Sequence, residues 1–275
     1  GTTAAPGTTA PTGSTAASTG DQWPVYGHDL AQTRTNVAER SITRDNVAGL
    51  VKTWEIPDLV GVTGTPTVVD GVAHFADWKG QVWAVRAATG EKVWTTMLGG
   101  MFVGAPAVDG DAVYASAGSS LYCLDRATGA QRWKASTHDH PQAQINASPV
   151  VVDGIVLQGT ASFENMMRKD EYQFRGSIGG FDAATGQQRW NFFTTPADAT
   201  GGPGAGIWGT PAVDTERGLL FVGTGQSLAE PTAPMADSIV AIDFRTGEKR
   251  WATQFTYPDV FSAGHPGGKD ADVGA

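Results

Sequence analysis

The phrase Thr-Gly-x-x-x-Trp occurs four times: Thr89-Gly90 with Trp94, Thr128-Gly129 with Trp133, Thr185-Gly186 with Trp190, and Thr246-Gly247 with Trp251. A fifth tryptophan, Trp54, lies 40 residues before Trp94, and the later spacings are 39, 57 and 61. A second phrase runs in phase with the first. It reads Gly64-Thr-Pro66 before Asp70-Gly71, Gly104-Ala-Pro106 before Asp109-Gly110, Ala147-Ser-Pro149 before Asp153-Gly154, and Gly209-Thr-Pro211 before Asp214. Asp-Gly supplies turn chemistry between two strands. Asp125, Asp182 and Asp243 each stand three residues before a repeat threonine, where a carboxylate accepts backbone N–H groups and closes a short loop; Arg86 breaks this pattern in the first copy. Each Trp closes an outer strand with a face broad enough to pack against the next unit. The expected fold is all-β: a β-propeller of four-stranded antiparallel blades. Gly- and Pro-containing turns recur too often for two helices per unit.

Composition narrows the function. With 28 acidic against 19 Lys and Arg residues the formal net charge is −9, which argues against a nucleic-acid partner. No apolar run is long enough to cross a bilayer as a helix. Cys123 is the only cysteine, so no internal disulfide forms, and its place in Leu121-Tyr-Cys-Leu124 marks it as buried filler. Residues 1–20 contain only Gly, Thr, Ala, Pro, and Ser, the composition of a flexible linker, ahead of a propeller region over 21–275. A missing initiator Met and an acidic, Trp-rich, cysteine-poor chain behind such a spacer suggest an exported protein, periplasmic, extracellular or lipoprotein-anchored.

Several stretches beside the repeat carry a resemblance, the Arg-Gly-Ser and Ile-Trp-Gly-Thr-Pro ones being the more specific. They include Asp21-Gln-Trp-Pro-Val-Tyr-Gly-His-Asp-Leu30, Ile42-Thr-Arg-Asp-Asn-Val47, Phe75-Ala-Asp-Trp78, Phe174-Arg-Gly-Ser177, Gly206-Ile-Trp-Gly-Thr-Pro211 and Gly223-Thr-Gly225. With them, the region 21–275 resembles the start of a pyrroloquinoline-quinone (PQQ) type propeller, most closely the polyvinyl-alcohol-dehydrogenase-like branch. The resemblance implies an eight-bladed ring, of which this chain holds about four to five blades. The expectation is a fragment, or one half of an assembly that a second chain or a missing C-terminal half completes, since an unclosed propeller leaves sheets unpaired.

The resemblance also implies a site. In the quinoprotein enzymes a flat anionic quinone stacks on a Trp and is tied to Ca²⁺, which polarises a quinone carbonyl while a carboxylate takes the alcohol proton. On that pattern Trp208, outside the repeat phase and after a flexible Gly201–Gly206 run, is the stacking platform; Asn146 and Ser162 bind the cofactor; Glu164 and Gln226 are the metal ligands. The departures matter as much. The paired Cys beside the quinone is missing. Ala105-Pro106 stands where a carboxylate-gripping Arg is expected. Gln226 replaces an Asn, and Ser262 occupies the place of the catalytic Asp, with Asp259 as a substitute only if the loop shifts.

Two further features stand outside the repeat. His138 and His140 point to the same side of an extended segment and form a candidate metal pair, although no third ligand is identifiable. Phe163–Gln173 reads as an insertion lying over the propeller face. Two functions remain open: an exported quinoprotein that oxidises a small-molecule or polymeric alcohol and passes electrons to an acceptor such as a cytochrome, or a non-catalytic propeller scaffold for proteins or envelope polymers, resembling outer-membrane assembly propellers. This stretch alone is expected to be inactive.

Overall fold

The computed structural model describes residues 22–100, 104–197, 201–268 and 270–273. The expected 1–20 linker lies outside the described residues. Four sheets follow one another, each ordered as an antiparallel meander. The first holds β1 (Thr67–Val69), β2 (Val72–Ala76), β3 (Gln81–Arg86) and β4 (Lys92–Met97). The second holds β5 (Ala107–Asp109), β6 (Ala112–Ala117), β7 (Ser120–Asp125) and β8 (Gln131–Ser136). The third holds β10 (Val150–Val152), β11 (Ile155–Ser162), β12 (Ser177–Asp182) and β13 (Gln188–Phe193), with β9 (Ala143–Gln144) paired to the end of β11. The fourth holds β14 (Ala212–Asp214), β15 (Leu219–Gly223), β16 (Ser238–Asp243) and β17 (Lys249–Gln254). These are the predicted blades of an unclosed propeller, and among the described residues no fifth sheet forms.

The turns behave as the sequence implies. Asp70-Gly71 and Asp153-Gly154 carry positive φ at both positions and join β1 to β2 and β10 to β11. The carboxylates of Asp125, Asp182 and Asp243 accept the N–H groups of Thr128, Thr185 and Thr246. Their second oxygens take an arginine seven residues on, Arg132, Arg189 and Arg250, a clasp not read from the repeat. In the first blade the order is inverted, with Arg86 facing Glu91.

Trp54 and the first three repeat tryptophans reach across to the next blade. The indole N–H groups of Trp54, Trp94, Trp133 and Trp190 donate to the carbonyls of Ala87, Arg126, Ala183 and Phe244 at 2.8, 2.8, 3.0 and 3.1 Å. The ring rests on the glycine of the same turn: a Cβ added to Gly186, already at φ +75°, would lie 2.7 Å from Trp133. Trp54 docks in this way although residues 50–56 form no strand, because its anchor is the side chain rather than a ladder. Trp251 meets no following turn among the described residues and is 44% exposed.

Apolar cores lie between neighbouring blades. Val82, Ala84 and Trp94 pack with Val113, Tyr122 and Leu124, and Tyr114, Cys123 and Trp133 pack with Val156 and Phe181. Burial pushes the Cys123 thiol up to about 11, so it stays protonated, in keeping with its role as filler. The stretch from Trp23 binds along the innermost strands. Trp23 exchanges two backbone bonds with Val68 of β1, Pro24 accepts from Val108 of β5, and Leu30 accepts from Val213 of β14. Val25 is buried against Ala107, Val150 and Val213 of three different blades, so this segment ties the inner strands together.

Two tests follow from this packing. Trp133→Ala should cost about 3–5 kcal/mol in urea unfolding, whereas Trp251→Ala should cost under about 1 kcal/mol. Equal losses would show that docking does not order the blades. His74 of β2 is fully buried against Trp94, with neither ring nitrogen bonded. Burial, aided by the Arg126 charge, lowers its pKa from 6.5 to about 4. The unfolded chain therefore takes up this proton first. Stability present above pH 6.5 should fall by roughly 3 kcal/mol as the pH drops towards 4. His74→Leu should flatten that part of the stability profile.

Candidate functional site

Four loops at one end of the third and fourth blades are stitched together by backbone bonds. Gly204 donates to Phe174 and accepts from Gly176, both at 2.7 Å, while Ala205 donates to Gln226 and Leu228 donates to Pro203, both at 2.8 Å. Ser227 then donates to Asp259 at 3.1 Å and accepts from Phe261 at 2.9 Å. The Gly201–Gly206 run, expected to be flexible, is instead largely buried in this seam. A Cβ on Gly202 would lie 1.8 Å from the Pro231 carbonyl, and Gly204 sits at φ +115°. The glycines permit close backbone approach rather than motion.

This seam carries Trp208. A Cβ on Gly225 would lie 2.1 Å from the six-membered ring of the indole, so Gly225 provides the bare surface that Trp208 lies against. In front is a cavity of about 320 Å³ whose wall includes Asn146, Ser162, Trp208 and Gln226. The fold thus brings together four residues singled out from the sequence. The Ser162 hydroxyl is already engaged: it donates to the Gln142 carbonyl at 2.9 Å and accepts the Glu164 N–H at 3.0 Å, capping the 3₁₀ turn Phe163–Met166. That turn belongs to the predicted insertion, which does lie over the site: Phe163, Asn165 and Met166 line the cavity, and Ala263 donates to Asn165 at 2.8 Å.

Glu164 is placed elsewhere. It is fully buried outside the cavity wall, with one oxygen bound by the Lys169 ammonium and facing His140 Nε2 at 3.5 Å. The other oxygen accepts the N–H groups of Gln173 and Phe174 at 3.1 and 2.9 Å. Burial works to raise this carboxyl, and Lys169, the two N–H groups and His140 outweigh it, holding it below the usual range. The carboxylate pins the insertion to the start of β12. That arrangement does not fit a metal ligand facing the cavity.

Ser262 and Asp259 are also turned away from the cavity. The Ser262 hydroxyl donates to the Leu228 carbonyl at 3.0 Å and faces His265 Nδ1 at 3.3 Å. Asp259 is fully buried: one oxygen accepts the Ala271 N–H at 3.3 Å and the other has no partner. Burial, reinforced by Asp237, Asp272 and Asp270, pushes its carboxyl up to about 6. The carboxylates on the cavity wall are Asp270 and Asp272, which the sequence reading did not single out. Burial and Asp270 raise Asp272 to about 6. Their only signal was an alternating acidic pair in a Gly/Pro-rich loop.

The histidine pair is structural. His138 Nδ1 accepts the His140 N–H at 2.9 Å, which places its proton on Nε2, donating to the Arg175 carbonyl at 3.0 Å. His140 Nδ1 accepts the Gln142 N–H at 3.1 Å. Among the described residues no group of three or more His, Cys, Asp or Glu side chains has metal-holding geometry. In the same set no helix is long and apolar enough to cross a membrane.

The profile of the PQQ_2 family, described as outer membrane protein assembly factor BamB, matches residues 16–265. The chain belongs to the PQQ_2 family. It is similar to the polyvinylalcohol dehydrogenase of Pseudomonas sp., with 28% identity over 90% of this chain and 43% of that protein. It is also similar to the polyvinylalcohol dehydrogenase of Sphingopyxis sp., with 29% identity over 77% of this chain and 38% of that one. The crystal structure of quinohemoprotein alcohol dehydrogenase from Comamonas testosteroni superposes with a TM-score of 0.77 at 28% identity, over 89% of this chain and 42% of that one. The chain therefore spans about 40% of the length of the curated relatives it matches. As a PQQ_2 propeller it places Trp208 among the loops at one end of its third and fourth blades. Glu164→Gln should lower stability by about 1–3 kcal/mol by breaking the Lys169 contact, and leave any Ca²⁺ affinity unchanged. Calorimetry with calcium that shows lost binding in a protein of unaltered stability would return Glu164 to the metal.

Proposed function

We propose that this chain supplies the quinone-stacking blades of an exported PQQ-dependent alcohol dehydrogenase. The observation that carries the reading is the Trp208 indole, backed by Gly225 and facing a cavity that Asn146 and Gln226 also line. A flat cofactor against this ring loses little freedom on binding, and the amides orient it through hydrogen bonds. Bound there, PQQ supplies the acceptor for the hydride leaving an alcohol. Phe163, Phe261 and Leu228 give the cavity an apolar side that keeps water from the reacting carbon.

The cation assignment changes within this reading. Gln226, Asp270 and Asp272 bring oxygen donors to the cavity wall that suit a hard ion such as Ca²⁺, while Glu164 serves the fold. Similarity to polyvinylalcohol and quinohemoprotein alcohol dehydrogenases supports an alcohol substrate, small or polymeric, and a cytochrome-type electron acceptor. The remaining blades come from sequence beyond this stretch or from a second chain, and the site is complete only with them. The scaffold reading draws on the family's description and on Ser262, which leaves the expected base position without a carboxylate.

Titration of the full-length protein with PQQ in the presence of Ca²⁺, followed by quenching of tryptophan fluorescence, separates the two. Trp208→Ala should weaken binding by one to two orders of magnitude, on the order of the 1–3 kcal/mol that aromatic stacking contributes. A folded full-length protein that binds no PQQ would leave the scaffold reading.

A further inference from the structure

Trp78 and Trp251 are the exposed tryptophans among the described residues. Trp251 ends the fourth blade, where the turn of a following repeat would cover it. Trp78 stands outside the repeat, in the stretch Phe75-Ala-Asp-Trp78. Its exposure, 46%, is not that of an open blade flank. The flank of the first blade is covered, with Trp54, Ile56 and Leu59 packed over Phe75, Trp83 and Val85.

The indole is nonetheless fixed in place. The Trp78 backbone N–H donates to the Val60 carbonyl at 2.8 Å, and the ring N–H donates to the Thr63 hydroxyl at 3.2 Å. A Cβ on Gly61, at φ +66°, would lie 2.1 Å from the ring, so a bare glycine backs Trp78 as Gly225 backs Trp208. Asp77 holds the loop by accepting the Gln81 N–H and the Trp83 indole N–H at 3.1 and 3.0 Å. Val60 and Val62, on either side of Gly61, are exposed as well. The result is an apolar ring seated on one face, open on the other and flanked by two valines.

Its place in the fold ties it to the candidate site. Trp78 lies in the β2–β3 loop, the counterpart in the first blade of the β15–β16 loop that carries Gly225 in the fourth. Both loops therefore stand at the same end of their blades. Thr63, which holds the Trp78 ring, also lines a second cavity of about 810 Å³ whose wall includes Trp208. The platform is thus continuous with the site through one residue, yet lines neither cavity itself.

We propose that Trp78, with Val60 and Val62, docks a hydrocarbon chain bearing neutral hydroxyl groups, and so holds a polymeric alcohol while one of its carbinol units reaches the cavity in front of Trp208. The ring and the valines take the methylene groups, and the hydroxyls stay in water. A fully covered aromatic side chain buries about 150–250 Å². Three part-exposed side chains therefore fall far short of the roughly 800 Å² per partner of a protein interface, and fit a ribbon-shaped ligand instead. A second attachment point raises the local concentration of carbinol units at the site, which a small alcohol cannot exploit. The inference rests on the alcohol dehydrogenase reading and adds a chain-binding subsite to it.

The test uses the full-length protein and polyvinyl alcohol as the probe. Native electrophoresis in gels containing the polymer should retard wild type, and Trp78→Ala should weaken the apparent affinity about three- to tenfold, with Trp78→Phe close to wild type. In turnover with PQQ and Ca²⁺, Trp78→Ala should raise KM for the polymer by a similar factor and leave kcat, and KM for 2-butanol, unchanged. Unaltered thermal midpoints check folding. Hydroxyl-radical footprinting of wild type needs no variant: Trp78 should be oxidised in the free protein and protected by the polymer. A wild type that is not retarded, retardation that Trp78→Ala leaves intact, or a Trp78 already shielded in the free full-length protein overturns the platform. PQQ titration decides the quinone reading separately, because Trp78 lines neither cavity.

Discussion

The indole of one blade seated on the Thr-Gly turn of the next is the contact on which the rest of the structure depends. It joins two requirements that few residue pairs meet. The turn needs a glycine at positive φ with no Cβ, and the bare surface so created takes the flat of a tryptophan ring whose N–H reaches a carbonyl of the same turn. A register irregularity recurs opposite each of these tryptophans, at Ala84/Val85, Cys123/Leu124, Gly180/Phe181 and Ala241/Ile242. The same local twist is therefore built into every blade. Repetition of one contact at one angle carries the sheets around an axis and brings β1, β5, β10 and β14 side by side.

Once the inner strands meet, the stretch from Trp23 to Leu30 acquires its role. Its alternation of carbonyls and apolar side chains satisfies Val68, Val108 and Val213 while Val25 fills the centre. The chain leaving this seal brings Arg34 to the wall of a cavity that Trp208 also lines. The seam of glycine-rich loops brings Gln226, Asp270 and Asp272 to the cavity in front of Trp208.

The carboxylates show where reading from residues stops. Glu164 matches the expected metal ligand in position along the chain, yet Lys169 and the N–H groups of Gln173 and Phe174 satisfy it inside the insertion. Ser162 stands on the cavity wall as anticipated, but its hydroxyl caps the turn that begins with Phe163. Asp259 and Ser262 lie in the loop to which the resemblance pointed and face away from the cavity, because Ser227 and Leu228 pull that loop into the seam. In each case a nearby backbone group competes for the polar atom, and no spacing along the chain records the outcome of that competition.

The repeat by itself determined the blade, its four strands, its turns and its inter-blade contact, since each of these is settled by residues within one period or by a side chain meeting the next copy. The resemblance led to Trp208, Asn146 and Gln226, which the fold brings to one cavity. Tertiary structure alone decided which polar atoms remain free for a ligand. That depends on the loops from β11 to β17 pairing with one another.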